Sequence, residues 1–227
     1  LVICSNLKNS GVEYQDAPFH GQYWGAFSSP KGALEGVLVH YWNGNVMMFA
    51  KDTEVLGALV AEFQPRLQRP IAGVLGPGPQ AEYVIERLGL SAQPYSVNRN
   101  EGLYELALAA LDVPQIPASL RIVGAHSIDQ TLLIEWMEAY EIEALGASKQ
   151  EGFHERAVLK AEGLRQQDGW VLLRHQEPVA LAGLNARLNE VVQVGPVWTP
   201  PAHRNQGYAR LLLAAVLAEE REKGVQK

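Results

Sequence analysis

One stretch, residues 191–210, constrains this chain more than any other. Val191, Val192, Val194, Val197 and Trp198 are β-branched or aromatic, types that suit the pleated surface of a strand. Pro196 carries no amide hydrogen, so a ladder bond is missing there and the strand must bulge or splay. Pro200 and Pro201 stop the strand. Residues 204–209 then open a helix expected to run to about Lys223, with Gly224 as its stop. A strand, a tight loop and a helix N-terminus in that order make an anion site. The first amides of the helix have no internal partner, and the helix dipole favours negative charge there. Gly207 lets the backbone approach a ligand closely, Ala209 adds little bulk, and Arg204 brings a fixed positive charge. That set suits a diphosphate.

The run Arg204-Asn205-Gln206-Gly207-Tyr208-Ala209 is similar to the Arg/Gln-x-x-Gly-x-Gly/Ala signature of the GNAT acetyltransferase superfamily. The preceding Val197-Trp198-Thr199-Pro200-Pro201 resembles a Val-Tyr-Thr-Pro-Pro run in a bacterial branch of that superfamily. The resemblance spans about residues 119–227 and implies acetyl-CoA as the cofactor. In such enzymes a splayed strand offers free amides to the pantetheine arm, a role that falls here to Val197, Trp198 and Thr199. Arg204, Asn205, Gln206, Gly207, Tyr208 and Ala209 would cradle the pyrophosphate. The implied activity is N-acetyl transfer to the amine of a small molecule by direct attack. The alternative is a GNAT-like module that binds acyl-CoA without turnover.

Element order extends the picture. Strands are expected at 22–27, 34–42 and 46–50, with Asn43-Gly44 as a hairpin turn whose two central residues both take positive φ. Asp52 or Thr53 caps a helix ending near Pro65 or Gln68, a short strand covers 71–75, and a helix covers 79–88. Residues 103–111 read as a strand, and Pro114 and Pro117 mark a linker. The second half reads as a strand at 120–125, a helix at 128–145 capped by Ser127, and a helix at 151–166. A hairpin over 170–188 turns at Gln176-Glu177. The expected class is α/β (α+β): GNAT-like mixed, mostly antiparallel sheets flanked by helices, in two tandem lobes. Residues 1–117 would form a degenerate N-terminal lobe and 118–227 the acetyltransferase domain; the repeat rests on element order. The chain begins at Leu1 rather than Met, and residues 225–227 read as the approach to a further strand.

Composition excludes some classes. The chain has 227 residues, 47% hydrophobic, with a net charge of -6 and a pI near 5.5, which gives no electrostatic case for nucleic acid. No apolar run reaches membrane-spanning length, and the single cysteine, Cys4, points to no oxidising compartment. A cytoplasmic protein without a membrane partner is expected, and a homodimer is the assembly left open. Gly76-Pro77-Gly78-Pro79 crosses from strand to helix, but its prolines donate no amide hydrogens and no lysine follows at nucleotide-loop spacing. It reads as a structural turn.

The catalytic groups are less legible. In some GNAT enzymes a glutamate on the strand before the loop is the general base; the corresponding position here is about Gln193, whose amide cannot accept a proton. Glu190 is the candidate that remains, and a tyrosine acid would lie beyond Lys227. His203 reads as a solvated loop histidine. Glu135, Glu138, Glu141 and Glu143 form either a solvated face or a cradle for a cationic acceptor. Trp136 and Tyr140 either wall a pocket or pack in a helix face. No histidine pair has metal-ligand spacing, so no metal is expected.

Overall fold

The computed structural model describes residues 1–147, 149 and 152–227. Packing divides the chain into two compact units, 3–102 and 103–227, the latter with Leu1 and Val2. This division falls N-terminal to the linker expected around Pro114 and Pro117. Its physical reason is Leu108, which is fully buried among Val192, Leu217 and Val225 of the second unit. Residues 103–111 are not a strand; they are extended chain with one 3-10 turn at Leu108–Ala110.

After a first helix α1 (Val2–Ser10), the first unit holds strands β1 (Gly21–Phe27), β2 (Leu34–Tyr41) and β3 (Asn45–Ala50). Helix α2 (Thr53–Phe63), strand β4 (Gly73–Leu75) and helix α3 (Gly78–Arg87) follow. The sheet runs β1-β2-β3-β4, antiparallel except for the parallel pair β3 and β4. Alternate residues Leu38, Val46 and Met48 face Leu56, Leu59, Val60 and Phe63 of α2, a period-2 face against a helical stripe. The Asp52 carboxylate accepts from the Val55 amide at 2.9 Å and caps α2 as expected. The hairpin turn differs from the two-residue expectation. Only Gly44 takes positive φ (79°), and its amide donates to Tyr41 O at 3.0 Å, so a turn over 41–44 ends on a left-handed glycine.

His40 is 1% exposed on β2, and its ring meets Phe63 edge-on at 5.7 Å. Burial, and after it the nearby Arg69 guanidinium, hold its pKa below the ordinary histidine value. The unfolded chain therefore binds the proton more readily, and stability contributed at neutral pH is lost as pH falls below about 6.5 toward the depressed folded value. The melting temperature of the first unit should fall between pH 7.5 and 5.5. The same scan on His40→Gln should be flatter.

The second unit holds β5 (Leu120–Gly124), α4 (Gln130–Leu145), α5 (Phe153–Gln166), β6 (Gly169–Arg174), β7 (Glu177–Arg187), β8 (Val192–Trp198) and α6 (Tyr208–Glu222). Its sheet runs β5-β6-β7-β8 and is antiparallel throughout. One face packs on α4 and α5 through Leu133, Trp136, Met137, Ala157 and Ala161. The other packs on α6 through Tyr208, Leu212 and Val216. The cap of α4 is Asp129, not Ser127: its carboxylate accepts from the amides of Thr131 at 2.7 Å and Leu132 at 3.3 Å. The hairpin turns at His175-Gln176, not Gln176-Glu177, with both residues at positive φ (47° and 73°) and Arg174 paired to Glu177. Helix α5 begins at Phe153; the expected start at Glu151 lies outside the described residues. Residues 226 and 227 run beside the start of β8, where the Val192 amide donates to Lys227 O at 2.9 Å.

Pro196 disturbs β8 as its missing amide requires. The β7–β8 register shifts twice between Ala182 and Ala186. Val192 and Val194 face α6, and so does Val197, although it lies three residues beyond Val194. The bulge at Gly195 and Pro196 absorbs the extra residue and reverses the parity of the strand. Trp198 is thereby delivered to the opposite face, among the α4 and α5 side chains.

Candidate functional site

Where β8 ends and α6 begins, a cleft of about 460 Å³ opens. Residues 203–210 wrap it, Val197, Trp198 and Thr199 form one wall, and Glu143 and Ala144 at the end of α4 form another. Every residue singled out from the sequence for cofactor binding lines this cleft. Glu143 and Arg210 line it as well; the sequence placed Glu143 on a solvated acidic face or in an acceptor cradle, not beside the loop, and did not single out Arg210. Arg210 was signalled only by its place in the first turn of the helix after the glycine.

The loop turns tightly because Asn205 (φ 62°) and Gly207 (φ 76°) both take left-handed backbone. Gly207 is the N-cap of α6 and provides no side-chain cap bond, so the first amides of the helix are left to a ligand. A Cβ built on Gly207 would meet nothing within 4 Å, so φ, not crowding, demands glycine.

Arg204 is held on three sides. Its Nε donates to Thr199 O at 3.0 Å, its guanidinium lies 5.0 Å from the Trp198 ring centre, and its two Nη groups meet the Glu143 carboxylate at 2.8 and 3.0 Å. The Tyr208 side chain is buried instead, and the exposed Gln206 side chain lies against its hydroxyl. The Tyr208 hydroxyl donates to Gln206 Oε1 at 2.8 Å, and Arg174 of β6 donates to the Tyr208 oxygen at 3.2 Å. These two residues fix the loop on the sheet and have backbone groups to offer a ligand. His203 is not the solvated histidine expected: its side chain is 14% exposed and lies 3.5 Å from Glu177. Trp198 Nε1 and Thr199 Oγ1 are buried without a hydrogen-bond partner among the described residues.

The other candidates fall elsewhere. Gln193 pairs with Ala186 on β8, on the side of the bulge away from the loop. Glu190 is exposed in the turn before β8, and its carbonyl accepts from the Gln226 amide at 2.8 Å. Since β8 is seven residues long, Glu190 lies on the order of 20 Å from the cleft. The acidic side chains of α4 are mostly struts: Glu138 meets His154 at 2.7 Å, and Glu141 pairs with Lys160. Trp136 is core, not pocket wall. Among the described residues, no cluster of His, Cys, Asp and Glu could hold a metal ion, and no helix is long and apolar enough to cross a membrane.

Residues 130–227 match the family model described as the acetyltransferase (GNAT) family. They form a GNAT domain. The match takes in the cleft's loop, its β8 wall and the α4 end that carries Glu143.

Solved structures extend the likeness. A Drosophila protein is similar along 99% of this chain and 77% of its own, at 13% identity and a TM-score of 0.60, which is a likeness of fold across both units. A GCN5-related N-acetyltransferase from Kribbella flavida is 20% identical over 47% of this chain and 28% of its own, with a TM-score of 0.35. The N-acetylglutamate synthase of Neisseria gonorrhoeae, solved with coenzyme A and N-acetyl-glutamate, is 18% identical over 48% of this chain and 24% of its own, with a TM-score of 0.36. The chain thus spans about a quarter of the length of these last two. A comparison with curated proteins found no match.

Proposed function

We propose that the chain binds acetyl-CoA in this cleft and transfers the acetyl group to the amine of a small molecule. The observation that carries the reading is the left-handed loop at the N-terminus of α6, with Arg204 beside it and the bulged β8 behind it. The residues suit the cofactor: open helix amides and Arg204 for a diphosphate, and the end of β8 at Val197, Trp198 and Thr199 for an amide-bearing arm. Acetyl-CoA supplies an activated thioester carbonyl. The chain orients that carbonyl against strand amides and manages the proton that the attacking nitrogen must lose as its bond to carbon forms and the carbon–sulfur bond breaks.

Gln193 supports a second reading, an acyl-CoA-binding module without turnover, because a neutral amide cannot be the base. A panel of amines assayed with acetyl-CoA separates the two: CoA release above background supports transfer, and CoA binding without release supports the module. For the enzyme, Gln193→Ala should lower turnover by about tenfold or less, below the roughly 10²–10⁴ of a general acid–base group. The acceptor's own neutral fraction then sets the pH dependence. kcat/KM should rise with pH and level off near the amine's pKa, at lower pH for a less basic acceptor. Identical midpoints for two acceptors of different basicity would place the titrating group on the protein.

A further inference from the structure

Arg204, one of two arginines that line the cleft, is already paired. Glu143, two residues from the end of α4 in a region otherwise used to brace helices, crosses to the loop and fills both Nη positions of Arg204. That planar, two-bond geometry is the one a phosphate group would take on the same fork. The Glu143 side chain is 53% exposed and Arg204 35%, so the pair is wet and easily exchanged, unlike the Arg187–Glu220 pair of the same unit, whose carboxylate is fully buried. Arg204 does not need Glu143 to stay in place, because the Thr199 carbonyl and the Trp198 ring hold the guanidinium from other sides.

We propose that Glu143 is a built-in competitor for the anion site: its carboxylate stands where a ligand phosphate binds, and must leave Arg204 for the ligand to enter. The proposal rests on the acetyl-CoA reading of this cleft and adds to it a residue that sets affinity. A competing carboxylate keeps the site's affinity for any phosphate low, so that only a ligand with further contacts, along β8 and at the α6 amides, displaces it. Glu143 thereby favours a long ligand carrying a diphosphate over a free phosphate anion. After displacement the carboxylate remains near the ligand's negative charge, and removing that charge helps binding a second time.

The sign of one substitution decides the matter. Glu143→Gln keeps the size of the side chain and one acceptor but removes the charge. CoA binding by calorimetry should become about three- to tenfold tighter, and binding of inorganic pyrophosphate, followed on the Gly207 amide by NMR, should gain by a larger factor, so that the preference for CoA over pyrophosphate shrinks. Unchanged or weaker binding of both probes in a folded Glu143→Gln protein would overturn the proposal and make Glu143 a residue that positions Arg204. Wild-type chain that fails to bind CoA, with pyrophosphate binding still strengthened by Glu143→Gln, would remove the acetyl-CoA reading and keep the competitor. Failure of both probes to bind either protein would remove both.

Discussion

Gly207→Glu is expected to weaken CoA binding by about a hundredfold or more while the chain stays folded. The Cβ of a residue at 207 points into open space, so the fold gains no clash. The new carboxylate reaches into the volume that the loop and the first amides of α6 enclose. Two unit charges about 4 Å apart at an effective dielectric near 20 repel by about 4 kcal/mol, and about 2.7 kcal/mol already corresponds to a hundredfold in Kd. A diphosphate carries more than one charge, and the substituted side chain also competes for the same amides. The backbone is a separate cost: φ of 76° is strained for any L side chain, by about 1–2 kcal/mol. Gly207→Ala carries that strain without the charge and serves as the control, expected to keep CoA affinity within about tenfold. Calorimetry on both variants, with thermal melts to show that they fold, checks the result. Near-normal CoA affinity in folded Gly207→Glu would remove the diphosphate from this loop.

The second large effect is on stability and lies away from the cleft. Glu220 of α6 is fully buried, and Arg187 at the end of β7 donates to it with Nη1 while its Nη2 meets Asp168 at 2.7 Å. Lys223 reaches the other Glu220 oxygen at 3.0 Å. This network pins the C-terminal end of α6 to the end of β7, and the N-terminal end of the same helix lines the cleft. Arg187→Met leaves a buried carboxylate with one partner and should cost about 3 kcal/mol. In a chain of this size that lowers the melting temperature of the second unit by roughly 6–12 °C. The pH dependence follows from the same groups. Burial, the largest single influence, pushes the Glu220 pKa up, but the hydrogen bonds from Arg187 and Lys223 together outweigh it and hold the value below the usual carboxylate range. A carboxylate depressed in the folded state stabilises above its unfolded pKa, and that stability is lost as pH falls through the folded value. Without Arg187 the burial effect is less opposed, so acid destabilisation should begin at higher pH. Urea unfolding of both proteins at pH 7 and pH 4.5 reads the two effects. A loss under about 1 kcal/mol at pH 7 would mean that Lys223 alone satisfies the buried charge.

Much of the cleft was legible in residues 191–210 because its determinants are local. Pro196 must interrupt a ladder wherever it stands in a strand, Pro200 and Pro201 must end the strand, and Gly207 supplies a backbone conformation that few other residues reach. The elements around them were legible for the same reason, from hydrophobic period and turn chemistry. Errors arose where two residues competed for one local job. Asp129 displaced Ser127 as the cap of α4, since its carboxylate reaches two amides. His175 and Gln176 took positive φ with no glycine to announce the turn.

Other errors were of a different kind. Residues 103–111 carry an apolar pattern that suits a strand, but a strand needs a neighbour to pair with, and pairing is a tertiary fact. This segment instead sends Leu108 into the second unit's core, with its amide on Gln226 O at 2.7 Å. Composition and pattern determined, from the sequence alone, that the chain is α/β and that its second half ends in a bulged strand, a tight glycine loop and a helix. The meeting of Glu143 with Arg204, 61 positions apart, was decided by the packing of α4 against the end of β8. The bulge at Gly195 and Pro196 turns Trp198 away from α6, but its place beneath that arginine was decided by the same packing. Neither could be read from residue types, because a carboxylate, a guanidinium and an indole carry no mark of which distant partner the fold will bring to them.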